Sequence, residues 1–220
     1  MAHEIGAHKI WEVAGMQFHA ETLTMTWLTM IAVLVVVIGC TRSISVIPSG
    51  AQNFVEMLIE PILSQIDSSI GKKGQRVIPV VVTIFLFVLF SNMLGLLPAM
   101  TSPTADINTT LGWALMIIAL VHIYGLADKG LKYLAHFFQP NPFFVLLHIM
   151  DNVSRPLTMS FRLFGNIIAH EILIMVFLML VPFIVPSGIL FLGVFIGLIQ
   201  AAIFTILSIT YLAEGLGDDH

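Results

Sequence analysis

Residues 143–181 read FFVLLHIMDNVSRPLTMSFRLFGNIIAHEILIMVFLMLV, and this stretch decides the fold. Behind the break at Pro140 and Pro142, its 39 residues are apolar and helix-compatible from end to end. About 20 such residues suffice to cross about 30 Å of hydrocarbon. At roughly 1.5 Å per residue this run would reach about 58 Å as one helix, and the next run, 189–213, about 38 Å. Both are too long for an upright span, so the pair is expected to be steeply tilted, kinked or partly in the plane of the membrane. Pro182-Phe183-Ile184-Val185-Pro186-Ser187-Gly188 supplies the breakers that a hairpin between them needs.

Composition agrees. Of 220 residues, 58% are apolar and 10% charged, and the mean hydropathy is +0.98, far above what a water-soluble domain carries. A soluble chain of this size leaves about a third of its unfolded-state surface exposed, more than so few charges can cover. A net charge of −4 with nine Lys plus Arg leaves no basic patch to neutralise phosphates, which excludes nucleic acid as a partner. Cys40, the only cysteine, forms no internal disulfide and no thiolate cluster, and no metal or organic cofactor is expected. Residues 1–21 carry Glu4, Glu12 and Glu21 against Lys9, not the basic n-region of a cleaved export signal. Val37-Ile38-Gly39-Cys40 resembles a lipoprotein cleavage box, but it closes a full-length span and has the wrong residues upstream.

Three further spans follow from apolar runs at 22–40, 77–97 and 110–127, the last interrupted only by His122 and Tyr124. Within 51–67, Phe54, Met57, Leu58, Ile62 and Ile66 fall on one helical stripe, with Gln52, Glu56, Glu60 and Ser64 away from it, the pattern of an interfacial helix. Arg42, Lys72, Lys73 and Arg76 lie in the first connection, Lys129 and Lys132 in the third, and no basic residue in the second or fourth. The positive-inside rule therefore sets the first and third connections in the cytoplasm. The expectation is an all-α membrane protein, a single integral domain over 1–220. It has five transmembrane helices plus an amphipathic interfacial helix, the last two spans (143–181 and 189–213) forming a long, strongly tilted hairpin. Segment 1–21 is then outside and the acidic end, Asp218-Asp219-His220, inside. There is no internal repeat and no low-complexity segment.

An arginine in a spanning helix costs several kcal/mol unless it is paired or faces water. Arg162 has the strongest apolar flanks, about twenty residues into the long helix, with no acid three or four residues away to neutralise it. Arg155 is better suited to snorkel at an interface. Asn166 shares the face of Arg162, while Glu171 lies about half a revolution round and about 13 Å along the axis. These two charges are therefore not a pair retained for stability. On the partner helix Gln200 can face the same seam, with Glu214 on a similar face. His170 adjoins Glu171, and His148 and Asp151 lie toward the start of the long helix. A file of titratable and amide groups through hydrocarbon is what an ion pathway requires, because each replaces hydration lost on entering. His122 reads as a hydrogen-bonded packing residue.

At these residues the sequence closely resembles subunit a of the F-type ATP synthases, the stator component of the membrane sector. The most specific segments are Ser154-Arg155-Pro156, Phe161-Arg162-Leu163-Phe164-Gly165-Asn166 and Ala169-His170-Glu171. Supporting them are Ser91-Asn92-Met93-Leu94-Gly95-Leu96-Leu97-Pro98, Thr104-Ala105-Asp106-Ile107-Asn108-Thr109-Thr110 and Leu198-Ile199-Gln200-Ala201-Ala202-Ile203-Phe204. The resemblance implies five membrane helices plus an amphipathic one, the last two wrapping a rotor ring. It implies that Arg162 faces the ion-carrying carboxylate of each passing rotor subunit, and that Asn166, Glu171 and Gln200 are polar pathway positions. Two positions depart from the common bacterial pattern. His170 stands where that pattern has glycine, and Gly193 where it has histidine, as if facing helices had exchanged an imidazole; near the cytoplasmic end His148 replaces an acid, for which Asp151 compensates.

The function so implied is translocation of H⁺ or Na⁺ through two offset half-channels at the rotor interface, coupled to rotary ATP synthesis. Implied partners are the ring of c subunits, the peripheral-stalk b subunits and membrane lipid, in a bacterial inner membrane. A rotor carboxylate in lipid must be neutral, but opposite Arg162 it can ionise. Arginine stays protonated and so cannot carry the ion itself. The chain is not catalytic alone, and it lacks a GxxxxGK[ST] nucleotide loop. The competing reading is a freestanding ion channel or secondary transporter, which would typically show paired repeats with broken helices. An intramembrane hydrolase using Ser160 or Ser208 lacks both G-x-S-x-G and H-E-x-x-H.

Overall fold

A hairpin of two short strands, β1 (Ile10–Val13) and β2 (Met16–His19), pairs antiparallel with Ile10 opposite His19 and leads into the first helix. The computed structural model describes residues 10–13, 16–42, 50–97, 100–130, 133, 144–180 and 185–216. Beyond the hairpin it is helical: α1 (Ala20–Thr41), α2 (Ala51–Ile70), α3 (Ile78–Leu94), α4 (Ile107–Lys129), α5 (Phe144–Leu180) and α6 (Val185–Leu216). Short 3-10 turns precede α3 (Gly71–Arg76) and α4 (Pro103–Ala105). The hairpin is the one departure from an all-α chain among the described residues. It falls in the segment 1–21, for which neither a span nor a helix was expected.

Four helices are long and apolar enough to cross a membrane, over Ala20–Cys40, Ile107–Lys129, Val145–Phe177 and Gly188–Leu216. At 17 residues, α3 reaches about 25 Å. Its axis turns by 115° from the stretch holding α2, so α2 lies across the bundle. The expected amphipathic stripe of α2 divides in two. Ile62 and Ile66 are buried, with Leu58 packed beside them, while Phe54 and Met57 stay exposed.

The core lies where α3 and α4 meet α6, around Val81, Ile84, Val88, Ile117, Phe204, Ile209 and Leu212. α6 packs on α2, α3, α4 and α5, whereas α1 touches the bundle mainly along α3 and leaves Trp27, Ile31, Leu34 and Val35 exposed. Apolar side chains on such an outer face match hydrocarbon rather than water. Small residues permit the close crossings that membrane helices favour. A β-carbon at Gly215 would lie 2.7 Å from the Val121 carbonyl oxygen, so α4 and α6 meet backbone to backbone there.

α6 begins at Val185, earlier than the expected 189, and ends at Leu216. Pro186 thus lies in its first turn instead of in the connecting turn, because the first turn of a helix needs no N–H from that position. The rest of the expected turn, 182–184, lies outside the described residues. So do Glu4, Lys9, Lys132 and the acidic end, 218–220.

The two ends of the bundle differ in charge. At one, Asp128 at the close of α4 pairs with Lys73 at 2.8 Å and Arg76 at 3.7 Å, bringing the first and third connections together. At the other, Asp106 caps α4 by accepting from the Asn108 backbone N–H at 2.9 Å and side chain at 3.0 Å. His19 at 2.7 Å and Thr22 at 3.0 Å also donate to it, tying β2 and α1 to the start of α4. Burial on its own would raise the Asp106 carboxyl, but the Asn108, His19 and Thr22 hydrogen bonds favour the ionised form and hold it below the usual carboxylate range.

Candidate functional site

α5 and α6 run antiparallel and display the expected polar residues along their common seam. The side chain of Asn166 donates from Nδ2 to Gln200 Oε1 at 2.7 Å. Gln200 is 3% exposed, and its Nε2 has no partner. One turn farther along α5, His170 lies against Gly193: a β-carbon there would sit 2.5 Å from both Cε1 and Nε2 of the imidazole and 2.7 Å from Leu96 Cδ2. The imidazole occupies the room a side chain at 193 would need, so His170 and Gly193 are complementary in volume. Its Nε2 is buried without a partner. Glu171, next along α5, is half-buried.

Arg162 is different. It is exposed, and no described carboxylate or carbonyl receives a hydrogen bond or ion pair from it. Around it the outer faces of α5 and α6 are apolar, with Leu157, Phe161, Leu198, Ile199 and Ile206 exposed. Glu171 is therefore no salt-bridge partner for Arg162, as the helical spacing anticipated. The structure brings Asn166 and Gln200 together and His170 against α6, and leaves Arg162 unaccompanied.

Arg155 is paired within the chain. Its guanidinium donates through Nη1 and Nη2 to the Glu214 carboxylate on α6, with the Nη2 contact at 3.2 Å. It lies 5.1 Å from the centroid of the Tyr211 ring and 3.8 Å from Asp151. Glu214 therefore meets α5 through Arg155, farther along the seam that Asn166 and Gln200 share. His148, Asp151, Asn152, Arg155 and Glu214 line a cavity closed on its other sides by Val121 and Tyr133.

A polar cluster that spacing alone did not single out as functional lies between α3 and α6. Asn92 Nδ2 donates to the Gly197 carbonyl at 3.0 Å and its Oδ1 accepts from Thr104 at 3.3 Å. Ser102 joins Thr104 at 2.7 Å and donates to the Ser91 carbonyl at 3.0 Å. The Ser91 hydroxyl is buried without a partner. The available signal was two adjacent polar residues, Ser91 and Asn92, inside an otherwise apolar run. A β-carbon at Gly197 would come 3.0 Å from Met93 Cε and 3.2 Å from Asn92 Cβ, so glycine there lets Asn92 reach the α6 backbone.

Neither serine considered as a nucleophile has a histidine bonded to it. Ser160 shares a hydrogen bond with Thr110 at 2.9 Å, and Ser208 donates to the Phe204 carbonyl of its own helix at 2.7 Å. His122 is hydrogen-bonded to the Tyr133 hydroxyl at 2.8 Å, as a packing residue would be. No group of three or more His, Cys, Asp or Glu among the described residues has metal-site geometry.

Residues 23–213 match the family model described as ATP synthase A chain. The chain is 41% identical over 195 residues to ATP synthase subunit a of Moorella thermoacetica, covering 88% of this chain and 89% of the relative. It is 40% identical over 217 residues to ATP synthase subunit a of Desulforamulus reducens, covering 94% and 83%. With ATP synthase subunit a of Geobacter sulfurreducens the identity is 37% over 205 residues, covering 91% and 90%. A match over nearly the whole chain, joined to a bundle with spanning-length apolar helices and a polar seam, establishes that this chain belongs to the ATP synthase A chain family.

Proposed function

We propose that this chain conducts ions across the membrane as the stator subunit of a rotary ATP synthase, with Arg162 standing opposite the ion-carrying carboxylates of a turning ring of c subunits. The observation that carries the reading is an exposed guanidinium on an apolar face with no acid of its own. A cation in hydrocarbon needs a counter-charge, and the chain leaves that place for another polypeptide. A rotor carboxylate is neutral in lipid and ionises beside Arg162, so its ion is released there and regained after the ring moves on. Arginine keeps its proton throughout and cannot short-circuit the two sides.

Three buried polar atoms without protein partners, Ser91 Oγ, His170 Nε2 and Gln200 Nε2, support an outer half-channel along the α3–α5–α6 seam. Such atoms are where ordered water bonds. On this reading H⁺ or Na⁺ passes Glu171 and His170 on its way to the ring, and the cavity lined by His148 and Asp151 is the cytoplasmic exit. On this reading α3 is the fifth span, and the positive-inside rule supports a cytoplasmic basic end and an outer β-hairpin, in a bacterial inner membrane. The inclination of α5 and α6 lets them follow the curved ring, and the b subunits of the peripheral stalk hold the assembly still.

The test is ATP-driven ion transport in inverted membrane vesicles, with and without sodium and an uncoupler. Arg162→Ala is expected to abolish transport while the complex still assembles; normal transport in the assembled variant would end this reading. Glu171→Gln should reduce the rate more mildly, since His170 and water partly replace the carboxylate.

A further inference from the structure

Arg162 lies between two polar ties that join α5 to α6. On one side, four residues on, Asn166 is bonded to Gln200. On the other, seven residues back and about 10 Å along the axis, Arg155 is bonded to Glu214. Both ties reach across to α6, so the backbone carrying Arg162 is pinned on both sides while its own side chain is left unpaired. The two arginines stand two turns apart on nearly the same face, yet one is fully engaged and the other is not.

Resting on the role proposed for Arg162, we propose that Arg155 and Glu214 are a positioning pair that fixes the α5–α6 register around Arg162 and withholds the Glu214 carboxylate from the ion path. The geometry has the features of a strong pair. The contact uses both guanidinium nitrogens, which sets orientation as well as distance. The Tyr211 ring lies 5.1 Å from the guanidinium carbon and adds a cation–π contact. Asp151, at 3.8 Å, is the only other carboxylate near it among the described residues. The arginine side chain is 23% exposed and that of Glu214 55%, so the weight of the pair rests on its two-pronged geometry and the Tyr211 contact and not on burial.

Withholding Glu214 matters because of what faces it. His148, Asp151 and Asn152 of α5 and Tyr133 line the same cavity. Burial and the nearby Glu214 carboxylate push the Tyr133 phenol up, while Arg155 pulls it down. An unpaired Glu214 in that cavity would be a second acceptor for ions leaving the ring, and its charge would compete with the rotor carboxylate for the only unengaged guanidinium on the seam. Asp151 remains the acid of that cavity held only at a distance.

The experiment uses the intact complex in inverted vesicles, with transport normalised to the amount of this subunit assembled. Arg155→Met, which leaves Glu214 unpaired, is expected to lower ATP-driven transport per complex by about tenfold, less than the about hundredfold that a 1 Å misplacement of a reacting group can cost. It should also change the cytoplasmic-side pH profile of transport, since it leaves the Glu214 carboxylate without its partner in the cavity shared with His148 and Asp151. Arg155→Lys, which keeps the charge but not the two-pronged contact, should fall between. Exchange of the charges in Arg155→Glu with Glu214→Arg is expected to restore much of the loss. A pair that serves packing alone would lose assembled subunit without changing the transport of each complex or its pH profile. Unchanged transport and profile in assembled Arg155→Met, or no recovery in the exchanged pair, overturns the proposal. Arg162→Ala in the same series separates the two readings: if it transports normally, the role of Arg162 fails, and if it alone is inactive, only the positioning pair fails.

Discussion

The side chains of the seam divide by what satisfies them. Arg162 is satisfied by nothing among the described residues, Arg155 by Glu214, and Asn166 by Gln200. His170 fills space instead of making a bond: its ring occupies the volume above Gly193. That gives a test at single-residue resolution. Gly193→His alone places a β-carbon 2.5 Å from the imidazole and should destabilise the protein by about 1–3 kcal/mol through overpacking. His170→Gly alone removes the imidazole and should slow transport. The double variant His170→Gly with Gly193→His returns one imidazole to the same space, so its transport in vesicles should exceed that of either single change. Strict additivity of the two losses would remove the idea of an exchange between facing helices.

Among the elements, α6 carries the architecture because it alone meets α2, α3, α4 and α5. Its approach to α4 depends on glycine, since any side chain at 215 meets the Val121 carbonyl, a backbone atom that cannot rotate away. Gly215→Ala is accordingly expected to cost about 1–3 kcal/mol, read as a lowered unfolding temperature of the detergent-solubilised chain. Gly112→Ala, at a glycine of α4 with nothing within 4 Å of the added carbon, should cause no such loss. In α2 the sequence stripe was right about which residues share a face. It did not tell that only the later half of that face, at Ile62 and Ile66, would be covered. The extent of cover depends on where α6 runs, and no periodicity within α2 contains that.

Over the whole molecule, polar ties sit at both ends of an apolar bundle. Asp106 gathers β2, α1 and α4 at one end, and Asp128 joins the first and third connections at the other. Removing the Asp106 carboxylate in Asp106→Ala deletes a helix cap and the acceptor shared by Asn108, His19 and Thr22, at a cost of about 0.5–2 kcal/mol. The pH dependence has a definite sign. The folded-state pKa of Asp106 lies below its ordinary value, so its contribution is present above the unfolded pKa of about 4 and is lost as pH falls through the lower folded value. The stability difference between wild type and Asp106→Ala should therefore be full at pH 7 and shrink in strong acid, as followed by thermal unfolding at a series of pH values.

The apolar runs, their lengths, and the one arginine within an expected span that has no acid three or four residues away were legible from the sequence, because spanning hydrocarbon constrains composition locally and at every position. So were the family motifs around Arg162 and the isolation of that residue from Glu171, which helical geometry alone dictates. Three things needed the tertiary structure. Glu214 shares a helical face with Gln200 in sequence, yet it is claimed by Arg155, which only the packing of α5 on α6 brings within reach. Asn92 became a partner of α6 because Gly197 lets two helices close. The hairpin before α1 alternates apolar and polar residues at Trp11-Glu12-Val13 and Met16-Gln17-Phe18-His19, but what ties it down is remote: His19 at its end is bonded to an aspartate 87 positions away. Periodicity along one helix says which residues share a face, while contacts between helices depend on the angle and register at which faces meet, and those are properties of the assembled bundle.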